Sequence, residues 1–253
     1  MRHIMEGEKV SKFFGGLAAI SDLDFRIKEG EIVGLIGPNG SGKTTLINVV
    51  TGIAPASKGA IRFRGKDITR SKAYHIGRMG IARTFQVVKP FAGMTVAENV
   101  LVAALFGKNG MKRSRKEAMA NVDVVLETLG LAAKRDFHVE STTIPDRKRL
   151  ELAKALAMEP DLVFLDEVMA GLTPKEVENV MALIQRLNRD GMSFLVIEHV
   201  MKAVMGISHR VLVLHHGKSI AEGTPHEVVQ DEKVISAYLG SRYGKKAEVA
   251  LDA

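Results

Sequence analysis

Residues 31–45 read Glu31-Ile-Val-Gly-Leu-Ile36-Gly37-Pro-Asn39-Gly40-Ser41-Gly42-Lys43-Thr44-Thr45. An apolar run, Ile32–Ile36, leads into a glycine-rich turn, and the spacing predicts a helix from Lys43 to about Thr51. Residues 37–44 fit G-x-x-x-x-G-K-[ST] at every fixed position. The glycines let the backbone curl so that successive N–H groups face one anion. The new helix turns its positive end to the same place. Lys43 adds a point charge for outer phosphates, and the Thr44 hydroxyl is a hard oxygen ligand suited to magnesium.

Outward from this loop the pattern alternates. Short apolar stretches predict strands at 18–22 and 23–27 before it, and at 60–64, 81–86, 162–166, 193–198 and 210–215 after it. Helical patterns cover about 146–158 and 175–189. Between about 96 and 135 helical periodicity prevails, broken by a polar, basic loop at 107–115. Strands alternating with helices predict an α/β core with a parallel sheet covered on both faces, and a mostly helical lobe inserted into it.

A second motif lies at the end of the run Asp161-Leu-Val-Phe-Leu165-Asp166-Glu167. A buried strand would deliver Asp166 to the sheet edge where ligands collect in open α/β folds. Asp166 there suits magnesium, and Glu167 suits proton abstraction from an attacking water. Taken alone, the same pattern also describes a strand capped by two solvated acids.

Composition narrows the classes. The 253 residues contain no cysteine, which excludes disulfides, thiolate nucleophiles and cysteine-ligated metals. Apolar runs such as 162–165 and 211–214 fall far short of the ~20 residues of a spanning helix. The N-terminus lacks the apolar core of a secretion signal. Any link to a membrane is therefore expected to run through a partner. The net charge of +7 fits an anionic partner or simply a solvated basic surface. Basic clusters at 112–116 and 147–149 are not interleaved with aromatics, and tryptophan is absent, which argues against nucleic acid.

The motifs together resemble a family. Phe14-Gly-Gly-Leu17, the phosphate loop, Thr84-Phe-Gln86, Leu165-Asp-Glu167, Ala170-Gly-Leu-Thr-Pro174, Ile197-Glu-His199, Glu222-Gly-Thr-Pro225 and Ala237-Tyr-Leu-Gly240 are similar to ABC transporter ATPases. The likeness is strongest to the ATP-binding subunits of branched-chain amino-acid-type importers, and covers nearly the whole chain. It implies a P-loop NTPase core with a mostly parallel sheet, an antiparallel N-terminal β subdomain and an inserted helical subdomain at about 90–150. Residues 4–240 would form the ATPase domain and 241–253 a charged tail. ATP and Mg2+ would be the cofactors. Nucleotide would be held by Phe14, Gly37, Asn39, Gly40, Ser41, Gly42, Lys43, Thr44 and Thr45. Phe14 would stack on adenine, although Phe13 is an alternative stacker and Phe14 could instead be a core residue. Thr44, Gln86 and Asp166 would hold magnesium. Glu167, His199 and Gln86 would serve hydrolysis, with His199 at the γ-phosphate. The resemblance also implies a head-to-tail ATPase dimer, permease subunits docking near Gln86 and residues 87–98, indirectly a solute-binding protein, and a place on the cytoplasmic face of the membrane. Lipid-export ATPases and soluble cassette proteins of nucleic-acid metabolism are the rival readings.

One motif departs from the family. Where Leu-Ser-Gly-Gly-Gln is usual, this chain has Thr142-Thr143-Ile144-Pro145-Asp146, and Asp166 follows 23 residues after Thr143 as the pattern requires. Pro145 removes a backbone donor, and Asp146 places a carboxylate where a partner's phosphates would come. Thr143 and Asp146 also fit a helix capping box. The departure suggests pairing with a second, non-identical ATPase, a homodimer being the alternative. In addition, Val168 and Thr173 stand where many cassettes have Pro and Asp.

Overall fold

A computed structural model of the chain describes residues 2–86, 88–198 and 200–239. Strand β1 (His3–Phe14) turns at Gly15-Gly16 and pairs antiparallel with β2 (Leu17–Lys28). The sequence predicts no strand before residue 18 and splits β2 in two near Asp22. Both differences have one cause. The register shifts between Gly7 and Val10 and again between Val10 and Lys12, and Lys9 and Asp22 adopt φ of 46° and 45°. These irregularities break the in–out alternation by which a strand is recognised. Ser11 anchors one of them: the Asp22 N–H donates to Ser11 Oγ at 2.9 Å, and that hydroxyl donates to Asp22 Oδ1 at 3.2 Å.

The chain continues through β3 (Ile32–Ile36), helix α1 (Lys43–Val50), β4 (Lys58–Phe63), β5 (Lys66–Asp67), α2 (Ala73–Arg78) and β6 (Ile81–Arg83). Helices α3 (Val96–Phe106), α4 (Arg115–Thr128) and α5 (Ile144–Ala157) form the lobe expected from the helical periodicity. The core resumes with β7 (Leu162–Asp166), α6 (Pro174–Arg189), β8 (Ser193–Ile197), α7 (Met201–Ile207) and β9 (Arg210–His215). It ends with β10 (Lys218–Gly223), α8 (Pro225–Gln230) and α9 (Glu232–Leu239).

Among the described residues the strands form two sheets. One is antiparallel, in the order β2-β1-β4-β5; the other runs β10-β9-β3-β8-β7-β6. In the second, β9, β3, β8, β7 and β6 are parallel, and β10 is an antiparallel edge. Both faces of its centre are buried, and alternate residues serve two cores. Val163, Leu165, Phe194 and Val196 face the core shared with the helical lobe. Leu162, Phe164, Leu195 and Ile197 face the core shared with α1 and the N-terminal sheet. This double burial is why these strands read as unbroken apolar runs.

The boundaries differ where side chains intervene. The predicted strand 81–86 stops at Arg83, so Gln86 lies at a bend beyond the strand instead of ending it. Thr84 ends the ladder: its N–H reaches the Phe164 carbonyl at 2.9 Å, and its hydroxyl accepts from the Asp166 N–H at 3.0 Å. Helix α5 starts two residues earlier than predicted because Thr143 caps it. Strand β10 escaped prediction because it is a short, polar edge strand.

Candidate nucleotide-binding and hydrolysis site

The carboxyl ends of β3 and β7, neighbours of β8 in the sheet, bring the two acidic and basic motifs together. Helix α1 starts on Gly42, in a left-handed conformation with φ 107°, with no side-chain cap and no acid in its first turn. A side chain at 42 would put its Cβ 2.6 Å from the Ala19 carbonyl, so only glycine fits between the loop and β2. The loop is braced by backbone: the Ser41 N–H donates to the Pro38 carbonyl at 3.1 Å, and the Gly217 N–H to the Ser41 carbonyl at 2.9 Å. Ser41 Oγ is buried and has no hydrogen-bond partner among the described residues. Asn39, Gly40 and Thr44 are exposed, and Thr45 is half-buried.

Lys43 is 8% exposed, and its ammonium donates to the carbonyls of Gly37 at 2.7 Å and Pro38 at 3.0 Å. Burial lowers its pKa below the usual lysine value, while the charges of Glu167 and Asp166 pull the other way. The electrostatic coupling ties the loop to the acidic strand end.

Asp166 is 2% exposed, which removes the reading of it as a solvated strand cap. Its carboxylate pairs with Arg83 at 3.4 Å. Arg83 was not singled out by the sequence, although a lone arginine ending a buried strand beside Thr84 is the available signal. Its guanidinium also donates to Asn48 Oδ1 on α1 at 2.7 Å and lies 4.5 Å from the Phe85 ring centre. Burial depresses the Arg83 pKa, and Asp166 opposes that shift. Arg83 thus links α1, β6 and β7 at one point.

Glu167 holds a left-handed backbone, φ 54°, which is costly for a residue with a side chain. Its N–H donates to the Ile197 carbonyl at 2.9 Å, and Gln86 Nε2 donates to its carboxylate at 2.7 Å. The next segment is tied down by Glu198, which is buried and accepts from the Met169 N–H at 2.7 Å. Thr44, Gln86 and Asp166 line one cavity of about 500 Å³, together with Arg83 and Phe85. A hydroxyl, an amide and a carboxylate form a hard-oxygen donor set, and magnesium takes one or two carboxylates plus phosphate oxygens. Among the described residues no group of three or more His, Cys, Asp or Glu gathers into a metal cage. The donor set therefore fits magnesium only in company with a nucleotide.

Phe14 sits at the hairpin tip, 55% exposed, with the Lys12 ammonium 5.0 Å from its ring centre. That position rules out the core reading for Phe14. Phe13 is half-buried, and its N–H donates to Ser57 Oγ at 3.1 Å. His199 and Val87 lie outside the described residues, as do 240–253.

The signature segment has the opposite character to the phosphate loop. Thr143 caps α5, and Asp146 completes a reciprocal capping box. The Asp146 N–H donates to Thr143 Oγ1 at 3.3 Å, and the Asp146 carboxylate accepts from the Thr143 hydroxyl at 2.6 Å. Lys134 binds the same carboxylate. Burial alone would raise the Asp146 pKa, but the hydrogen bonds from Lys134 and Thr143 and the Lys134 charge hold it below the ordinary carboxylate value. Asp146 is 4% exposed, so it does not project toward a partner's phosphates, whereas Ile144 is 72% exposed. Of the first three helix amides, Pro145 lacks one and Thr143 occupies another.

Comparison with known proteins agrees with this architecture. A family profile described as ABC transporter matches residues 20–170. A second, described as branched-chain amino acid ATP-binding cassette transporter, matches 218–244. The high-affinity branched-chain amino acid transport ATP-binding protein LivG of Salmonella typhimurium is 40% identical over 239 residues, covering 90% of this chain and 94% of LivG. BraF of Pseudomonas aeruginosa, which carries the same description, is 37% identical over 94% of this chain and 98% of its own. The nucleotide-free ATP-binding cassette of an ABC transporter superposes with a TM-score of 0.86 at 31% identity, over 95% of this chain and all of the other. The chain belongs to the ABC transporter family, as an ATP-binding and ATP-hydrolysing cassette of the branched-chain amino acid type.

Proposed function

We propose that the chain powers import of branched-chain amino acids or related small solutes, from the cytoplasmic face of a membrane, by hydrolysing ATP at the site built on Lys43, Asp166 and Glu167. Residues 4–240 act as the cassette, with the lobe at about 90–150 as its partner-facing part. The observation that carries the reading is the convergence of an uncapped helix start, a buried lysine and a buried acidic strand end.

The amides of Gly40, Ser41, Gly42, Lys43, Thr44 and Thr45 and the positive end of α1 receive the phosphates. Lys43 exchanges the carbonyls of Gly37 and Pro38 for phosphate oxygens, which removes the cost of its buried charge. Thr44, Gln86 and Asp166 would hold magnesium, which would supply charge neutralisation at the phosphates. Arg83 pairs with Asp166 and fixes its carboxylate in place. Glu167, oriented by Gln86, takes the proton of the water that attacks the γ-phosphorus, and ADP leaves with its charge balanced by Lys43 and the loop amides. Phe14 offers a ring face for adenine. His199 is assigned to the γ-phosphate on the family pattern alone.

Permease subunits dock beside Gln86, where Phe85 and Phe91, both about half exposed, flank the cavity. This contact transmits hydrolysis to the membrane subunits, and a solute-binding protein chooses the cargo. The closed α5 end supports pairing with a second ATPase whose signature is open, rather than with a second copy. Glu167→Gln should bind ATP with near-normal affinity while losing turnover. Wild-type turnover in that variant would remove Glu167 from the mechanism.

A further inference from the structure

The Arg83 guanidinium is gripped from two sides. On its inner side it reaches two of the three protein groups that the site offers to magnesium. Asp166 is reached directly, its carboxylate 3.4 Å from Nη2. Thr44 is reached through α1. Arg83 Nη1 donates to Asn48 Oδ1 at 2.7 Å, and Asn48 lies four residues after Thr44, one helical turn along the same face. One planar fork therefore fixes β7 relative to α1, and with them the Asp166 carboxylate relative to the Thr44 hydroxyl.

On its outer side the guanidinium lies against the Phe85 ring, 4.5 Å from the ring centre. Phe85 is 48% exposed, whereas the Arg83 side chain is 9% exposed. Thr84, between them, is fully buried and stitched to β7: its N–H donates to the Phe164 carbonyl, and its hydroxyl accepts from the Asp166 N–H. Phe85 is thus the first residue to leave the sheet, and its ring lines the same cavity as Thr44, Arg83 and Asp166. A body seated on that ring presses on a guanidinium that cannot shift without disturbing Asp166 and Asn48.

We propose that Arg83 is a positioning residue that relays contact at the exposed Phe85 ring to the magnesium end of the ATP site. The inference rests on the reading of Thr44 and Asp166 as magnesium groups and of Phe85 as part of the permease-facing surface. It assigns the line of transmission to a stacked guanidinium inside the chain. The relay therefore operates in the isolated chain and is testable without a permease.

ATP titrations of the full chain, with and without Mg2+, separate the metal-dependent gain in affinity from the rest. Phe85→Leu removes the ring and keeps an apolar side chain. It should raise the Mg2+ concentration that gives half of that gain by roughly 2- to 10-fold, the range of a lost cation–π contact. Mg2+-free ATP affinity and the melting temperature should match wild type. Arg83→Lys keeps a charge beside Asp166 and loses the fork, and should raise the same midpoint by roughly 10-fold. The double variant should be no worse than Arg83→Lys alone, because the ring acts through the guanidinium. Tyr74→Leu is the control. Its ring, 54% exposed on α2, faces the Arg78 guanidinium at 5.6 Å, and its loss should leave the midpoint unchanged. An Arg83 of purely structural role would weaken ATP binding alike with and without Mg2+, and that pattern would overturn the relay. So would an equal shift in Tyr74→Leu. Asp166→Asn, titrated in parallel, separates the relay from the site. If Asp166→Asn loses the metal-dependent gain while Phe85→Leu or Arg83→Lys matches wild type, the relay is overturned and the site stands. If Asp166→Asn also matches wild type, the site reading fails and the relay falls with it.

Discussion

Two helix starts in this molecule are built in opposite ways. Helix α1 begins on a glycine, with no side-chain cap and no acid in its first turn. Helix α5 begins on a threonine locked in a capping box with Asp146, with proline in its first turn. The same backbone dipole operates at both. At α1 it is left for an incoming anion; at α5 the chain satisfies it internally. Helices α3, α4, α6 and α8 are closed like α5, by Thr95 with Glu98, Ser114 with Glu117, Thr173 with Glu176 and Thr224 with Glu227. Helices α2 and α7 also start without a side-chain cap, so what sets α1 apart is the open start joined to the glycine turn and the buried Lys43. The α5 start, where the family usually presents glycines to a partner's nucleotide, shares the capping box of α3, α4, α6 and α8.

The contrast can be broken at either end. The largest effect is expected at the open end. Glu167→Gln should lower ATP turnover by roughly 10²–10⁴-fold, the range of a lost general base, with nucleotide affinity nearly unchanged. Steady-state hydrolysis with a parallel binding titration checks both halves. Lys43→Ala comes next. Loss of a charge-assisted contact should weaken ATP binding by about 10- to 100-fold, read by calorimetry.

The closed end should respond with stability more than with chemistry. Asp146→Asn should cost about 1–2 kcal/mol near neutral pH, the scale of a lost cap joined to an ion pair that Lys134 shares with solvent. The sign with pH follows from the direction of the shift. The folded-state Asp146 pKa lies below its ordinary value of 3.8, so its stabilisation is present above about pH 3.8 and is lost as pH falls through the folded value. Urea unfolding of wild type and Asp146→Asn should show a constant gap from pH 7 to about 5 and a closing gap below about 3.8. The smallest effect is Pro145→Gly, which restores an amide in the first turn. It should cost about 0.5–1 kcal/mol of stability through added chain entropy, with a few-fold gain in ATP-driven self-association.

The strand-to-helix turn at 37–44 was legible because glycine spacing encodes its backbone geometry directly. The acidic strand end was legible because double burial makes β7 an unbroken apolar run. What stayed hidden depends on distant residues. Arg83 gains meaning only when β6 lies beside β7 and its side chain reaches Asp166 and Asn48. Strand β1 was masked by irregular register that Ser11 and Asp22 stabilise across the hairpin. The Thr143 and Asp146 capping box was readable from spacing alone, since it is local. That Lys134 neutralises Asp146 was not, because the partner lies 12 residues away on another turn.

With an uncapped phosphate loop and a closed signature, this chain is proposed to work opposite a different ATPase. Sedimentation of the Glu167→Gln chain in ATP and magnesium tests it most directly, alone and mixed with a cassette bearing Leu-Ser-Gly-Gly-Gln. The expected result is a monomer alone and a one-to-one heterodimer in the mixture. A tight ATP-bound homodimer of this chain alone would contradict it.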